Sequence, residues 1–161
     1  MKLGPTLRLF ASTVAALATP SGAWEAACPM PAALTITDTQ DGVAGPTGVV
    51  WTLRSDCSFA VARQIGSTTM SPHRQGRLTS SQWARLGDLV SKLTEGGFPG
   101  QIGKAPRFNA RRITLSQGKK TLSVLLLAPG SEDAGALEPK QVDAAANMLL
   151  LARALREVLG P

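Results

Sequence analysis

His73 is the only histidine in the 161 residues, and it bounds what chemistry the chain can do. A zinc site built from several imidazoles is excluded, and a serine or cysteine triad has one base to draw on. His73 sits in Met70-Ser71-Pro72-His73-Arg74, and Met70, His73 and Arg74 form a candidate loop site. Thioether and imidazole ligands suit copper(I), with Met30 as a further donor. The spacing is irregular, and an exposed loop is the simpler reading. Asp56, Asp88, Glu132, Asp133 and Asp143 fall in predicted turns, loops and helix surfaces, and nothing pairs two across a cleft as glycoside hydrolysis requires. There is no Gly-x-Ser-x-Gly, no HExxH and no Walker loop, and tyrosine is absent. No metal, no cofactor and no catalytic residue is assigned, and a non-enzyme is expected. The alternative is a small periplasmic hydrolase with its site between loops 66–76 and 98–108.

Binding is the remaining route, and the basic residues carry it. Arg111 and Arg112 precede a predicted strand, Lys119 and Lys120 lie at a predicted hairpin turn, and Arg63, Arg74 and Arg77 flank the first loop. Arg111, Arg112, Lys119 and Lys120 form the candidate binding face. Arginine holds carboxylate or phosphate bidentately. An acidic protein or an anionic envelope surface is therefore the expected partner. The cations form no long block with interleaved aromatics, so nucleic acid is not expected. Otherwise they form an ordinary solvated surface.

The amino end reads as an export signal. Lys2 and Arg8 precede an apolar run, Leu9 to Ala18, and Ser21-Gly22-Ala23 gives a small-x-small cleavage pattern. The run falls short of the roughly 20 residues a membrane span needs. A signal peptide over 1–23 implies a periplasmic or secreted protein. Its removal takes two of the 17 basic residues, leaving 15 against 11 acidic and a net charge of +4. Cys28 and Cys57 are the only cysteines. In an oxidising compartment they most simply pair, contributing roughly 3–4 kcal/mol by loop closure. Cys-x-x-Cys redox spacing is absent. Lipidation of Cys28 is the other use, but Glu25 stands where an apolar residue belongs.

The elements that would position these groups follow from periodicity. Residues 24–47 read as a lead-in tied by the disulfide, with a short strand where Leu34 and Ile36 alternate with Thr35 and Thr37, and 48–161 as one domain. Val49 to Arg54 and Cys57 to Gln64 predict a hairpin about Ser55-Asp56. Thr79 and Gln82 form a capping box ahead of Trp83, Leu86, Leu89, Val90 and Leu93 at helical spacing. Gly96-Gly97 ends that helix. Arg111 to Ser116 and Thr121 to Ala128 predict a second hairpin about Gln117-Gly118-Lys119-Lys120. Pro139 opens a helix running to about Leu159. Val142, Ala145, Ala146 and Leu149 form one apolar stripe on it, and Met148, Leu151, Ala152, Leu155 and Leu159 form another. A helix apolar nearly all round packs on more than one side, either within the fold or against a partner, so a homodimer through it is open.

The expected fold is α+β, in the order ββαββα with an optional leading strand. A mainly antiparallel sheet of four to five strands carries both helices on one face. This order, with Gly76, Leu78 and Thr79 opening the first helix, resembles small bacterial metallopeptidase inhibitors of the emfourin type over roughly 50–159. The resemblance is one of pattern and implies a secreted peptidase-inhibitor-like module; no functional residue carries over. The leader and the two cysteines depart from that family. The expected function is an exported, non-catalytic binding or accessory protein.

Overall fold

The computed structural model describes residues 32–98, 100–103, 109–126 and 139–161. The predicted signal peptide, Cys28, Met30, Glu132 and Asp133 lie outside them.

The sheet begins with β1 (Leu34–Gln40), whose alternation buries Leu34, Ile36 and Asp38 on one side. β2 (Thr47–Leu53) and β3 (Ser58–Ile65) form the first predicted hairpin. The turn between them closes through Cys57 N–H donating to the Arg54 carbonyl at 3.0 Å. Asp56 Oδ1 accepts from the Ser58 hydroxyl at 2.7 Å and the Ser58 amide at 3.0 Å. These two bonds hold the Asp56 carboxyl below its usual range. Cys57 adopts a φ of 65°, a left-handed conformation that glycine or asparagine takes more cheaply.

The sheet has eight strands, in the order β4-β3-β2-β1-β7-β8-β6, with β5 pairing β3. It therefore exceeds the four to five strands expected. Two extra strands, β4 (Thr68–Thr69) and β5 (Arg74–Arg77), lie in the segment predicted as loop. Both run back along β3. Between them Met70 N–H donates to the Arg63 carbonyl at 2.8 Å and His73 N–H to the Val61 carbonyl at 3.0 Å. Ser71-Pro72 interrupts what is in effect one return strand, because proline brings no N–H to the ladder. The third extra strand, β6 (Gly100–Ile102), is three residues long and pairs parallel with β8. All these strands are short edge pieces with little or no apolar alternation, so periodicity did not reveal them.

β1 comes from the segment read as a lead-in, yet it pairs with both β2 and β7 (Arg111–Gln117). β7 and β8 (Lys120–Leu126) form the second predicted hairpin. Gly118 supplies the positive φ of 59° that their two-residue loop needs at its first position.

α1 (Ser80–Glu95) starts at the predicted capping box. The Thr79 hydroxyl accepts from Gln82 N–H at 3.2 Å, and Gln82 Oε1 accepts from Thr79 N–H at 2.9 Å. α2 (Pro139–Leu159) closes the chain order. One core joins the two helices to one side of the sheet: Ile36, Trp51, Leu53, Val61, Ile113, Leu115 and Val124 meet Leu86, Val90 and Leu93 of α1 and Met148, Leu151, Leu155 and Leu159 of α2. Val50, Ala60, Ala62 and Leu125 occupy the other side of the sheet and stay outside that core. Both helices thus lie on one face, as α+β layering requires. No helix among the described residues is long and apolar enough to cross a membrane.

Candidate functional site

Asp38 is the one carboxylate on the buried side of the central strand. Its alternation with Leu34 and Ile36 aims it under the helices, and it is 2 % exposed. A charge so placed requires cationic partners. Arg111, next door on β7, donates from Nε to Oδ1 at 2.9 Å and from Nη2 to Oδ2 at 2.8 Å. Arg156, near the end of α2, donates from Nη2 to Oδ2 at 2.8 Å. The Arg156 guanidinium also lies over the Trp51 ring, 5.9 Å from its centroid, within cation–π range. Burial alone would raise the Asp38 pKa. The Arg111 hydrogen bonds and charge, with those of Arg156, outweigh it and hold the carboxyl below its usual range. In return Arg111 is held more firmly protonated by its bonds to Asp38.

The end of α2 is fixed by a row of backbone contacts. Trp51 Nε1 donates to the Gly160 carbonyl at 3.0 Å, and Arg74 Nη1 donates to the Leu159 carbonyl at 2.7 Å. His73 Nε2 lies 2.9 Å from the Pro161 carbonyl oxygen. The Arg74 bond satisfies a carbonyl that the helix end leaves open, and the other two bonds tie down the residues just beyond the helix. They also hold Arg156 in place over Asp38.

Around this anchor the outer surface of α2 is basic and apolar together. Arg111, Arg153, Arg156, Leu149 and Leu150 line a groove of about 420 Å³ between α2 and β7. On the other side of Leu150, a second groove runs between α2 and α1 past Arg85, Leu89 and Ala154. Glu157 bridges the two helices, accepting from Arg85 at 2.9 Å and from Arg153 at 3.1 Å. Leu150 is 52 % exposed at the centre. The predicted stripe of Met148, Leu151, Ala152, Leu155 and Leu159 is buried; the other divides, with Ala145 buried, Leu149 packed partly against the core and Val142 and Ala146 exposed, and Leu150, in neither stripe, is exposed beside them.

The residues predicted as one binding face do not form one. Arg111 and Arg112 are neighbours on a strand, so they face opposite sides of the sheet. Arg111 joins Asp38 under the helices. Arg112 is exposed on the far face, beside a groove of about 410 Å³ with Thr37, Thr39, Asp41 and Thr114. Lys119 and Lys120 lie at the other end of the β7–β8 hairpin, roughly 20 Å along the strands.

Met70 and His73 lie between β4 and β5 and Arg74 opens β5, and all three are exposed. His73 and Arg74 are engaged with the end of α2, and Met70 is 48 % exposed. No side-chain carboxylate hydrogen-bonds to the His73 ring and no metal-binding cluster occurs among the described residues.

Sequence reasoning did not single out Asp38, Arg85, Arg153 or Arg156. The composition of 38–48 reads as a loop, but β1 runs on to Gln40 and β2 starts at Thr47; continuing the alternation of Leu34 and Ile36 through Asp38 puts it on the buried face, where an anion needs a cation. For α2 the signal was Arg153, Arg156 and Glu157 clustered beside an apolar stripe. Compared with protein-family models and with curated proteins, the chain has no match.

Proposed function

We propose that this protein is an exported, non-catalytic binding or accessory module that engages its partner through the outer surface of α2. The observation that carries the reading is Leu150. It is a half-exposed leucine ringed by Arg85, Arg111, Arg153 and Arg156. Leu150 does not stand alone: with Leu149 it lines a groove whose other walls are Arg111, Arg153 and Arg156, and an apolar centre inside a polar rim fits an interaction site. The arginines are held by Asp38 and Glu157, which lowers the side-chain entropy lost on binding. Export rests on the leader, and the Cys28–Cys57 bridge belongs to the same reading. A cysteine at the left-handed turn position of Cys57, where glycine is cheaper, favours a covalent role there.

The test is affinity capture from a native envelope extract, with captured proteins identified by mass spectrometry. Leu150→Asp with Arg153→Glu is expected to lose the partner while staying folded, with a melting temperature lowered by no more than about 5 °C through the lost Arg153–Glu157 pair. Equal capture by this variant, or no specific partner for either protein, would remove the reading.

A further inference from the structure

We infer that the groove between α2 and β7 is a carboxylate-recognition site that takes an acidic side chain from a partner's peptide segment, with an apolar neighbour of that side chain resting on Leu150. The inference deepens the proposed binding role and rests on it. Asp38 takes Arg111 through Nε and Nη2 and Arg156 through Nη2 alone. Arg111 Nη1 and Arg156 Nε and Nη1 have no partner among the described residues. The two side chains are 38 % and 44 % exposed, and both line the groove. A buried anion thus fixes two guanidinium groups side by side, with donors left over. Planar paired N–H groups match a carboxylate.

Charge sets the sign and the size of the ligand. Four arginines surround Leu150, against the carboxylates of Asp38 and Glu157, leaving a local excess of two positive charges. A short acidic segment balances that excess. A uniformly anionic bilayer matches it less well, because Glu157 stands within the patch between Arg85 and Arg153. The open groove holds about 420 Å³, room for a few side chains of a peptide. Leu149 and Leu150 give it an apolar wall, so the acidic residue needs an apolar neighbour.

The probe is the peptide acetyl-Leu-Glu-Leu-Asp-Leu-amide, titrated into isotope-labelled protein at low salt and followed by NMR. Saturable shifts are expected at the Arg111 and Arg156 side-chain N–H signals and at the amides of Leu149 to Arg153. The Gln/Asn version of the peptide is expected to bind at least about tenfold more weakly, as one charge-assisted contact is worth. Arg153→Ala is expected to weaken binding severalfold without disturbing the fold. Arg156→Lys keeps the charge but loses the planar donors, and is expected to weaken binding by a similar factor. Raising the salt to about 0.15 M should weaken all of these. Equal binding of the neutral peptide, or shifts confined to other faces, would overturn the inference. So would phosphatidylglycerol vesicles shifting these signals when the peptide does not, or the same signals moving on simple dilution, which would assign the face to a second copy. If envelope capture depends on Leu150 while the peptide leaves the arginines unmoved, the carboxylate site falls and the binding role stands. If capture also fails, both fall.

Discussion

Arg156 and Asp38 are 118 residues apart in sequence and meet at 2.8 Å. That bond ties the last helix to the central strand. With Arg111 it makes Asp38 an acceptor of three charge-assisted bonds. The folded Asp38 pKa lies below its unfolded value. Its contribution to stability is therefore fully present above about pH 4, the unfolded carboxylate value, and is lost as pH falls through the lower, folded value. Urea unfolding between pH 7 and pH 2.5 is expected to show this loss. Asp38→Asn should flatten that part of the profile and lower stability at pH 7 by about 2 kcal/mol, since it leaves two arginines facing a neutral group. An unchanged pH profile in Asp38→Asn would show that other carboxylates govern the acid limb.

Both helices, both main hairpins, the capping box and the layering were legible because each rests on local periodicity or turn chemistry. Trp51 and Leu53 against Val50, and Phe59 and Val61 against Ala60 and Ala62, follow from period two alone. The short strands β4, β5 and β6 were not legible. Only Ile102 among their residues is buried, and pairing with β3 or β8 is a tertiary fact. The same division holds at the site. That Asp38 is buried follows from alternation within β1. That Arg111 and Arg156 are its partners depends on strand order and on where α2 lies, and neither is written in a local pattern.

Gly48 is required by a close approach of two strands. A Cβ built there would stand 2.1 Å from the Asp38 carbonyl oxygen and 2.7 Å from the Thr39 Cα. Both are backbone atoms of β1, so neither can rotate away. Gly48→Ala must push β2 from β1 next to the residue that anchors the arginines. A loss of about 3 kcal/mol is expected, at the upper end for overpacking, together with altered amide shifts around Asp38. Wild-type stability in this variant would mean that the strands can separate without cost.

Trp51 holds the end of α2 in two ways, through its indole N–H on the Gly160 carbonyl and its ring beneath Arg156. Trp51→Phe keeps much of the buried ring but loses the donor and leaves a smaller face for the cation. A loss of roughly 2 kcal/mol is expected from the smaller core side chain, the missing hydrogen bond and the weaker stack. Amide exchange should show the last turn of α2 opening more readily than its middle. Uniform exchange along α2 would count against a local latch.

Leu150 and Leu155 test the division of α2 into an outer and an inner side. Leu155 is fully buried in the core, and Leu150 is half exposed. Leu155→Ala is expected to cost about 2–5 kcal/mol through the cavity it leaves. Leu150→Ala should cost under about 1 kcal/mol and act on partner binding instead. Thermal unfolding of the two variants reads the difference directly. Similar losses would mean that Leu150 packs within the fold and presents nothing to a partner.

Arg111 and Arg112 are adjacent in sequence and carry the same charge, yet the sheet sends them to opposite sides. Arg111 shares a buried carboxylate with Arg156. Arg112 is exposed on the far face, and its side chain has no hydrogen bond or ion pair among the described residues. Removing Arg111 leaves Asp38 with a single cation, so Arg111→Ala is expected to cost roughly 2–3 kcal/mol. Arg112→Ala is expected to change stability by less than about 0.5 kcal/mol, as for an ordinary surface position. Binding of the acidic peptide should follow the same split, falling for Arg111→Ala and unchanged for Arg112→Ala. Because Arg111→Ala disturbs the fold as well, binding should be measured well below its melting temperature, and Arg153→Ala should reproduce the loss without the instability. Equal effects of the two single substitutions on binding would return the two arginines to one shared face and contradict the register of β7 against β1.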